Sequence, residues 1–338
     1  MPRIVVTLGD PSGIGPEVLT KALAGGLPCP YLVVGDQAVW KEACRVAGLR
    51  LPPVASAEPA QEAGRVPFLQ VDPPSRQWPA GRASSEAGRS AAAWLEAAVR
   101  LALAGQADAV VFAPLNKQAL RLAGLAVRDE YEFVAQLAGV AEHDEVNVIP
   151  HPAGTGLLWV ARATSHVPLR EVVELLDEQR VLHAVRLVHR MATLGGNPSP
   201  RIGVAALNPH AGEGGTLGDE EVRILAPAIR RAQQEGLDVS GPYPADHVFR
   251  IARSGVLDAV VSLYHDQAQI ATKLLGFERG VSVGTGYPFV MTTPSHGTAF
   301  DLVGSGRADP RPMRQALEIA LALASAGKPH SGSDPAPA

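Results

Sequence analysis

The chain has 338 residues, 46% of them hydrophobic and 19% charged, with a net charge of −4. That length corresponds to about two domains or one large two-lobed α/β unit, and the composition excludes a disordered chain. The mild acidity offers no basic surface to nucleic acid or an anionic membrane, and no apolar stretch reaches the roughly 18 residues of a membrane span, which leaves a small-molecule partner. The first β-branched run, Ile4 to Leu8, starts without the charged and apolar regions of a secretory signal, so the mature protein is expected to begin at or near Met1. Further strand-like runs follow at Tyr31–Val34, Ala109–Phe112, Val146–Ile149, Leu157–Val160, Ile202–Leu207 and Ala259–Leu263. Between them lie amphipathic stretches at Ser85–Ala104, Leu169–Leu194 and Asp219–Glu235, with another at Pro312–Ala326. This alternation is the pattern of βα units, and runs apolar at every position suit a largely parallel sheet covered on both faces. Leu51 to Arg82, rich in Pro, Ala and Gly, reads as irregular connection or short edge strands, and the tail from Gly327 as disordered. Cys29 and Cys44 are the only cysteines, a usage that fits a reducing cytoplasm and supplies no disulfide scaffold.

Five features carry candidate chemistry. The first strand runs into Gly9-Asp10-Pro11-Ser12-Gly13-Ile14-Gly15-Pro16-Glu17, which opens a helix near Pro16. Such a turn either presents backbone N–H groups to an anion or is only a tight connection; it is neither a Walker A loop nor a G-x-G-x-x-G. His166, His210 and His265 stand at predicted strand ends or loop tips, where α/β sheets collect ligands, and three imidazoles suit a divalent transition metal. With ten histidines in the chain and these three far apart in sequence, spacing alone does not decide between ligands and ordinary histidines. Asp246 and Asp266 read either as helix caps or as groups that orient an imidazole or accept a proton. Lys273 lies two turns after Asp266 on a predicted helix from Gln267 to Leu275, as a solvated surface lysine or an acid/base group. His296-Gly297-Thr298-Ala299-Phe300-Asp301 offers a ring, a close backbone approach and polar contacts for a nucleotide, or forms a capped turn.

Together these segments resemble the 4-hydroxythreonine-4-phosphate dehydrogenase (PdxA) family of vitamin B6 biosynthesis. GDPSGIGPE at Gly9–Glu17, APLNKQAL at Ala113–Leu120, TSHVPLREV at Thr164–Val172, LNPHAGEGG at Leu207–Gly215, GPYPAD at Gly241–Asp246, YHDQAQIATKLLGFERGV at Tyr264–Val281 and HGTAFDLVG at His296–Gly304 follow the family's order along nearly the whole chain. The last is also similar to the nucleotide loop of isocitrate and isopropylmalate dehydrogenases. The resemblance implies their two-lobed α/β/α fold, with residues 1–140 and 285–327 in one lobe, 141–284 in the other, and an active-site cleft between them. It also implies a homodimer with shared active sites. His166, His210 and His265 would hold one divalent metal (Zn, Mg, Co or Mn), and His296, Gly297, Thr298, Ala299 and Asp301 would bind NAD or NADP. Lys273, Asp246 and Asp266 would do the catalytic work.

The departures fall on the substrate. Where the family has Gly-His-Thr-Glu before Phe, this chain has Asp129-Glu130-Tyr131-Glu132, so Glu130 and Tyr131 replace a His and a Thr expected to contact substrate. Ser282 stands for an Asn and Met291 for an Arg. An Arg grips phosphate through charge-assisted bonds that Met cannot make, and Glu130 adds like-charge repulsion. The expectation is a metal-dependent, NAD(P)-linked oxidation of a hydroxy acid, with decarboxylation, acting through Glu130, Tyr131, Lys273, Ser282 and Met291 on the substrate. It allows two substrates: 4-hydroxythreonine-4-phosphate, with Arg128 or Arg279 taking over the phosphate, or a non-phosphorylated hydroxy acid or cis-dihydrodiol carboxylate. A catalytically silent binding protein would have no need to keep the three histidines, both aspartates and Lys273 together.

Overall fold

The computed structural model describes residues 1–62, 64–154 and 156–327; the tail expected to be disordered lies, beyond Gly327, outside the described residues. The chain divides into two compact units, Met1–Asp144 with the chain from Val281 onward, and Glu145–Gly280.

The first unit opens with β1 (Ile4–Thr7), α1 (Gly15–Ala22), β2 (Tyr31–Gly35), α2 (Gln37–Ala47), β3 (Pro53–Ala55) and β4 (Val66–Gln70). It continues with α3 (Ser85–Leu103), β5 (Ala109–Phe112), α4 (Lys117–Leu122) and α5 (Glu130–Ala138). The second unit holds β6 (Asp144–Pro150), β7 (Leu157–Arg162), α6 (Leu169–Leu175), α7 (Glu178–Leu194), β8 (Ile202–Ala205), α8 (Ala226–Gln234), β9 (Val239–Tyr243), α9 (Ala245–Arg253), β10 (Ala259–Ser262) and α10 (His265–Gly276). The chain then returns to the first unit as β11 (Val281–Thr285), β12 (Val290–Pro294) and α11 (Arg311–Ala326).

Within the first unit the strand order is β3-β4-β2-β1-β5-β12-β11, all parallel except the antiparallel pair β11–β12. Within the second it is β6-β7-β10-β8-β9, parallel except for β6–β7. Parallel strands need crossover helices on their faces, so β1, β5, β8 and β10 are buried at every position. Trp40 and Trp94 are fully buried in the first unit, each donating its indole N–H to a backbone carbonyl, of Leu51 and Val71 respectively. Such anchors add a polar tie to a large apolar payload.

Local chemistry explains several boundaries that periodicity alone misses. The helix expected over Leu169–Leu194 is two helices, because Asp177 turns extended and its carboxylate caps α7 by accepting from the Arg180 N–H at 2.8 Å. Asp36, Ser84, Asn116 and Asp129 cap α2, α3, α4 and α5 in the same way, each satisfying an otherwise orphaned amide. The segment Leu51–Arg82, besides irregular chain, supplies β3 and β4 at the sheet's edge.

Candidate active site

Strand ends of the second unit assemble one half of the candidate chemistry. β7 delivers the chain to His166 and β10 to His265, and the two imidazole centroids stand 5.2 Å apart. His166 adopts a left-handed φ of 54°, an unfavourable conformation for a residue with a Cβ, which turns the chain sharply just before α6. His265 Nδ1 and Asp266 Oδ1 are 2.6 Å apart, so the carboxylate holds the ring through Nδ1. Neutral His265 with a proton on Nδ1 is the tautomer a metal at Nε2 requires. The pair borders a cavity of about 180 Å³ lined also by Thr164, Ser165, Val172, Tyr264 and Asp266. The Ser165 hydroxyl is buried there without a hydrogen-bond partner.

His210 is built differently. It sits in a coil in which His210, Ala211, Gly212, Glu213 and Gly214 all take positive φ. Buried Glu221 sustains this strained run: its Oε1 accepts the backbone N–H groups of Leu207 at 2.9 Å and Asn208 at 2.7 Å, and its Oε2 accepts from the Asn208 side chain at 2.9 Å. A Cβ on Gly212 would stand 2.6 Å from Glu221 Oε2, so the glycine is required by contact as well as by φ. Among the described residues no group of three His, Cys, Asp or Glu side chains is close enough to hold a metal ion. The structure thus brings together His166 and His265, with Asp266, and leaves His210 apart from them.

Lys273 is exposed two turns along α10 and lines a second, open cavity of about 560 Å³ with Arg279, Glu278 and His151. Asp246 is exposed in the first turn of α9, where Pro244 holds the capping position and no side chain caps the helix. Asp266 likewise lies in the first turn of its helix and bonds His265, which favours imidazole orientation over capping.

In the first unit the Gly9–Glu17 turn and the His296–Asp301 loop are one assembly. Ile14 donates its N–H to the Thr298 carbonyl at 3.0 Å, and a Cβ on Gly13 would stand 2.8 Å from that of Thr298. Gly81 donates to the Ser12 carbonyl at 2.9 Å, and a Cβ there would lie 3.0 Å from the Phe300 carbonyl oxygen. These contacts decide the reading of the turn. Ser12 N–H goes to Asp10 Oδ1, Gly13 N–H to the Asp10 carbonyl and Ile14 N–H to Thr298, so those amides are spent and the turn is a connector that seats the loop. Asp10, which organises these bonds, has a fully buried carboxyl that burial pushes up to about 6.

The loop itself keeps free surface. Gly297 and Asp301 are exposed, nothing lies within 4 Å of a Cβ on Gly297, and Ala299 takes a left-handed φ of 39°. His296 Nδ1 bonds the Gly297 carbonyl at 3.0 Å, and burial lowers the ring's pKa, keeping it neutral. Thr298 is buried and accepts from Asn116 Nδ2 at 3.3 Å, while Asn116 Oδ1 caps α4. Asn116 and Asp10 are the organising residues that the sequence alone does not single out, although both lie inside recognisable motifs.

Glu130, Tyr131, Ser282 and Met291 also belong to the first unit. Glu130 and Tyr131 begin α5 and are both buried; Lys117 Nζ comes to 4.0 Å from Glu130 Oε2. Met291 lies on β12 opposite Gly284, fully buried, and its terminal methyl, with rings of Tyr131 and Tyr287, fills the space a side chain at 284 would need. Tyr287 donates its hydroxyl to the Tyr131 carbonyl at 2.8 Å. Ser282 Oγ stands 3.2 Å from Ser295 Oγ.

A parallel α/β chain with a preformed loop beside its first strand and paired imidazoles at strand ends is an enzyme of small-molecule metabolism with the fold of the decarboxylating dehydrogenases. The fold alone is shared with isocitrate dehydrogenase from Methylococcus capsulatus, at TM-score 0.52 and 13% identity over 95% of this chain and 85% of that one. Residues 28–320 match the model of the family described as pyridoxal phosphate biosynthetic protein PdxA, and the chain belongs to that family. It is 40% identical to 4-hydroxythreonine-4-phosphate dehydrogenase of Geobacter metallireducens over 331 residues, 96% of each chain. The crystal structure of that enzyme from Klebsiella pneumoniae matches at TM-score 0.79 and 37% identity, covering 96% of this chain and 98% of the other. A terephthalate 1,2-cis-dihydrodiol dehydrogenase from Burkholderia xenovorans matches at TM-score 0.64 and 30% identity, covering 95% and 98%. This chain is therefore a PdxA-like dehydrogenase.

Proposed function

We propose that the protein oxidises the secondary hydroxyl of a hydroxy acid with NAD(P) and a divalent metal, as in the 4-hydroxythreonine-4-phosphate dehydrogenase step of pyridoxal phosphate biosynthesis. The observation that carries this reading is the His166–His265 pair with Asp266 orienting the second ring, two imidazoles of the kind that ligate divalent cations and that need a further ligand to complete a site. His210 is assigned as the third ligand, with the ligands drawn from both subunits of a homodimer. Exposed Leu169 and Val173 on α6 and Ile270 and Leu274 on α10, next to the histidine pair in sequence and on its elements, support such a self-association. A bound divalent metal would polarise the substrate hydroxyl and stabilise negative charge on its oxygen.

The chain's own groups do the rest. Lys273 is assigned to take the hydroxyl proton at Nζ, bound NAD(P) would accept the hydride from the same carbon, and Asp246 and Asp266 are assigned to hold the proton-transfer groups in register. If the oxidised product is a β-keto acid, loss of carbon dioxide follows and Lys273 returns the proton to carbon. His296, Gly297, Thr298, Ala299 and Asp301 are assigned to the dinucleotide, whose backbone approach is open over Gly297. Glu130, Tyr131, Ser282 and Met291 are assigned to the substrate. Among the described residues no helix is long and apolar enough to cross a membrane, and with Cys29 and Cys44 both free and buried a cytoplasmic location is the reading adopted.

The test is His210→Ala, with metal content by elemental analysis beside NAD(P) reduction. Loss of both metal and turnover is expected. Full activity in metal-free mutant protein would refute the assignment, as would a monomer in light scattering that binds metal stoichiometrically.

A further inference from the structure

α10 carries its polar chemistry as a stripe. His265, Gln269 and Lys273 recur at every fourth position, so each stands about 6 Å further along the helix axis and about 40° further round than the one before. Ala268 and Thr272, the positions just before Gln269 and Lys273, are buried, while Ile270 and Leu274, just after them, are exposed. The stripe therefore follows the border between the packed face of the helix and solvent. Gln267 fixes the setting of the helix: its Oε1 accepts the Leu263 N–H at 2.7 Å and its Nε2 donates to the Ala206 carbonyl at 2.9 Å. His265 and Lys273 have assigned roles at either end of the stripe, and Gln269 stands between them.

The orientation of the Gln269 amide is set from the interior of the same unit. Arg162 ends β7 with its side chain 1% exposed, donating from Nη2 to Glu145 Oε2 at 2.7 Å and from Nη1 to Asn147 Oδ1. A guanidinium has donors and no acceptor, so the Asn147 amide must turn its oxygen to Arg162, and its Nδ2 donates to Glu145 Oε1 at 3.2 Å. The same Asn147 oxygen accepts from Gln269 Nε2 at 2.9 Å. An amide whose nitrogen is committed inward presents its oxygen the other way, and here the donor-only Arg162 decides the assignment of both amides. Among the described residues no donor is bonded to Gln269 Oε1. The buried cation thus dictates, through two amides, that a fixed acceptor stands between His265 and Lys273.

We propose that Gln269 contacts the substrate, its Oε1 accepting a hydrogen bond from a second donor of the hydroxy acid, a hydroxyl or ammonium group besides the hydroxyl that is oxidised. This rests on the assignment of His265 and Lys273 to the reaction. A substrate with that donor exchanges a bond to water for a bond to Gln269, whereas an analogue with hydrogen in its place strands the oriented acceptor, which is how polar sites discriminate. Gln269 is half-buried, so water makes good part of the loss and the discrimination is about tenfold, well short of that of an enclosed site.

The experiment uses the metal-loaded full chain and three compounds: 4-hydroxythreonine 4-phosphate, whose second donor is an ammonium group, its analogue with a hydroxyl in place of that group, and its analogue with hydrogen there. kcat/KM from NAD(P) reduction and Kd from calorimetry are read for the wild-type chain and for Gln269→Met, which keeps the length of the side chain and removes the acceptor. The wild-type chain is expected to prefer one of the donor-bearing compounds over the hydrogen analogue by about tenfold or more, the better of the two identifying the donor, and in Gln269→Met this preference falls to within about threefold. A Gln269 that merely holds the helix in place lowers all three compounds together and leaves their ratios as in wild type, a result that overturns the proposal. Equal use of all three compounds by the wild-type chain overturns it without recourse to the variant. If none of them reduces NAD(P), the dehydrogenase reading fails, and the same ratios taken from Kd decide the Gln269 contact.

Discussion

Replacing Lys21 by Met leaves the Glu17 carboxylate buried without its cation. Glu17 is 6% and Lys21 18% exposed at the side chain, and Lys21 Nζ lies 2.7 Å from Glu17 Oε1. The same ammonium donates to the carbonyls of Gly306 at 2.8 Å and Ala308 at 2.9 Å, and Glu17 Oε1 accepts the Ala308 N–H at 2.9 Å. The pair therefore rivets α1 to the segment just after the His296–Asp301 loop. Breaking a buried pair from one side costs roughly 3–5 kcal/mol, and the partial exposure of Lys21 places this case near 3. At a urea slope of about 2 kcal/mol/M, that moves the unfolding midpoint of the first unit by about 1.5 M. The double variant Glu17→Leu/Lys21→Met removes the stranded charge together with its partner and is expected to recover much of the loss. Fluorescence of Trp40 and Trp94, both buried in this unit, reports the transition. A midpoint within 0.3 M of wild type for the single variant, or a double variant less stable than the single, would refute the reasoning.

Asp10 gives a pH prediction. Burial raises its carboxyl from 3.8 to about 6, so the native state keeps a proton that the unfolded chain has lost, and stability declines as pH rises through that window. Asp10→Asn keeps the acceptor for Ser12 and is expected to gain on wild type by up to about 3 kcal/mol at pH 7, the gain vanishing below pH 4; a pH-independent difference in denaturant titrations would contradict this. Gly9→Ala puts a Cβ 2.6 Å from the Ala113 carbonyl oxygen at a φ of 72°, and a loss above about 3 kcal/mol is expected from collision and strain together, read by thermal unfolding. Glu221→Gln swaps an acceptor oxygen for a donor against the amides that hold the His210 coil, and metal affinity is expected to fall about tenfold or more while the fold persists by circular dichroism.

Most of the framework was legible in the sequence because parallel strands buried on both faces must be apolar throughout, and β1, β2, β5, β8 and β10 announce themselves so. The antiparallel pair β11–β12 was not, because Val281–Thr285 and Val290–Pro294 mix Ser, Thr and Gly with valines: Thr292 and Thr293 are buried by bonding carbonyls of Ala316 and Phe112, which a hydrophobicity pattern does not register. The break between α6 and α7 depends on one aspartate choosing an extended conformation. The same limit applies to the Gly9–Glu17 turn. Its residues permit an anion cradle, and only the partners of three amides reveal a connector.

The site shows a further asymmetry between what motifs carry and what they omit. His166 and His265 are separated by 99 residues of chain, yet β7 and β10 are neighbours in the sheet with Arg162 opposite Ser262, so parallel pairing alone brings their C-terminal ends, and the two rings, together. Proximity here is a consequence of strand order, which residue spacing along the chain does not display. The surroundings of Met291 have no such geometric shorthand. They depend on which side chains fill the space over Gly284. A substitution such as Met291 for an expected Arg marks the place in the sequence. The structure then shows what the sequence does not: Met291 is fully buried and packs with Tyr131 and Tyr287, its terminal methyl filling the space that a side chain at 284 would need.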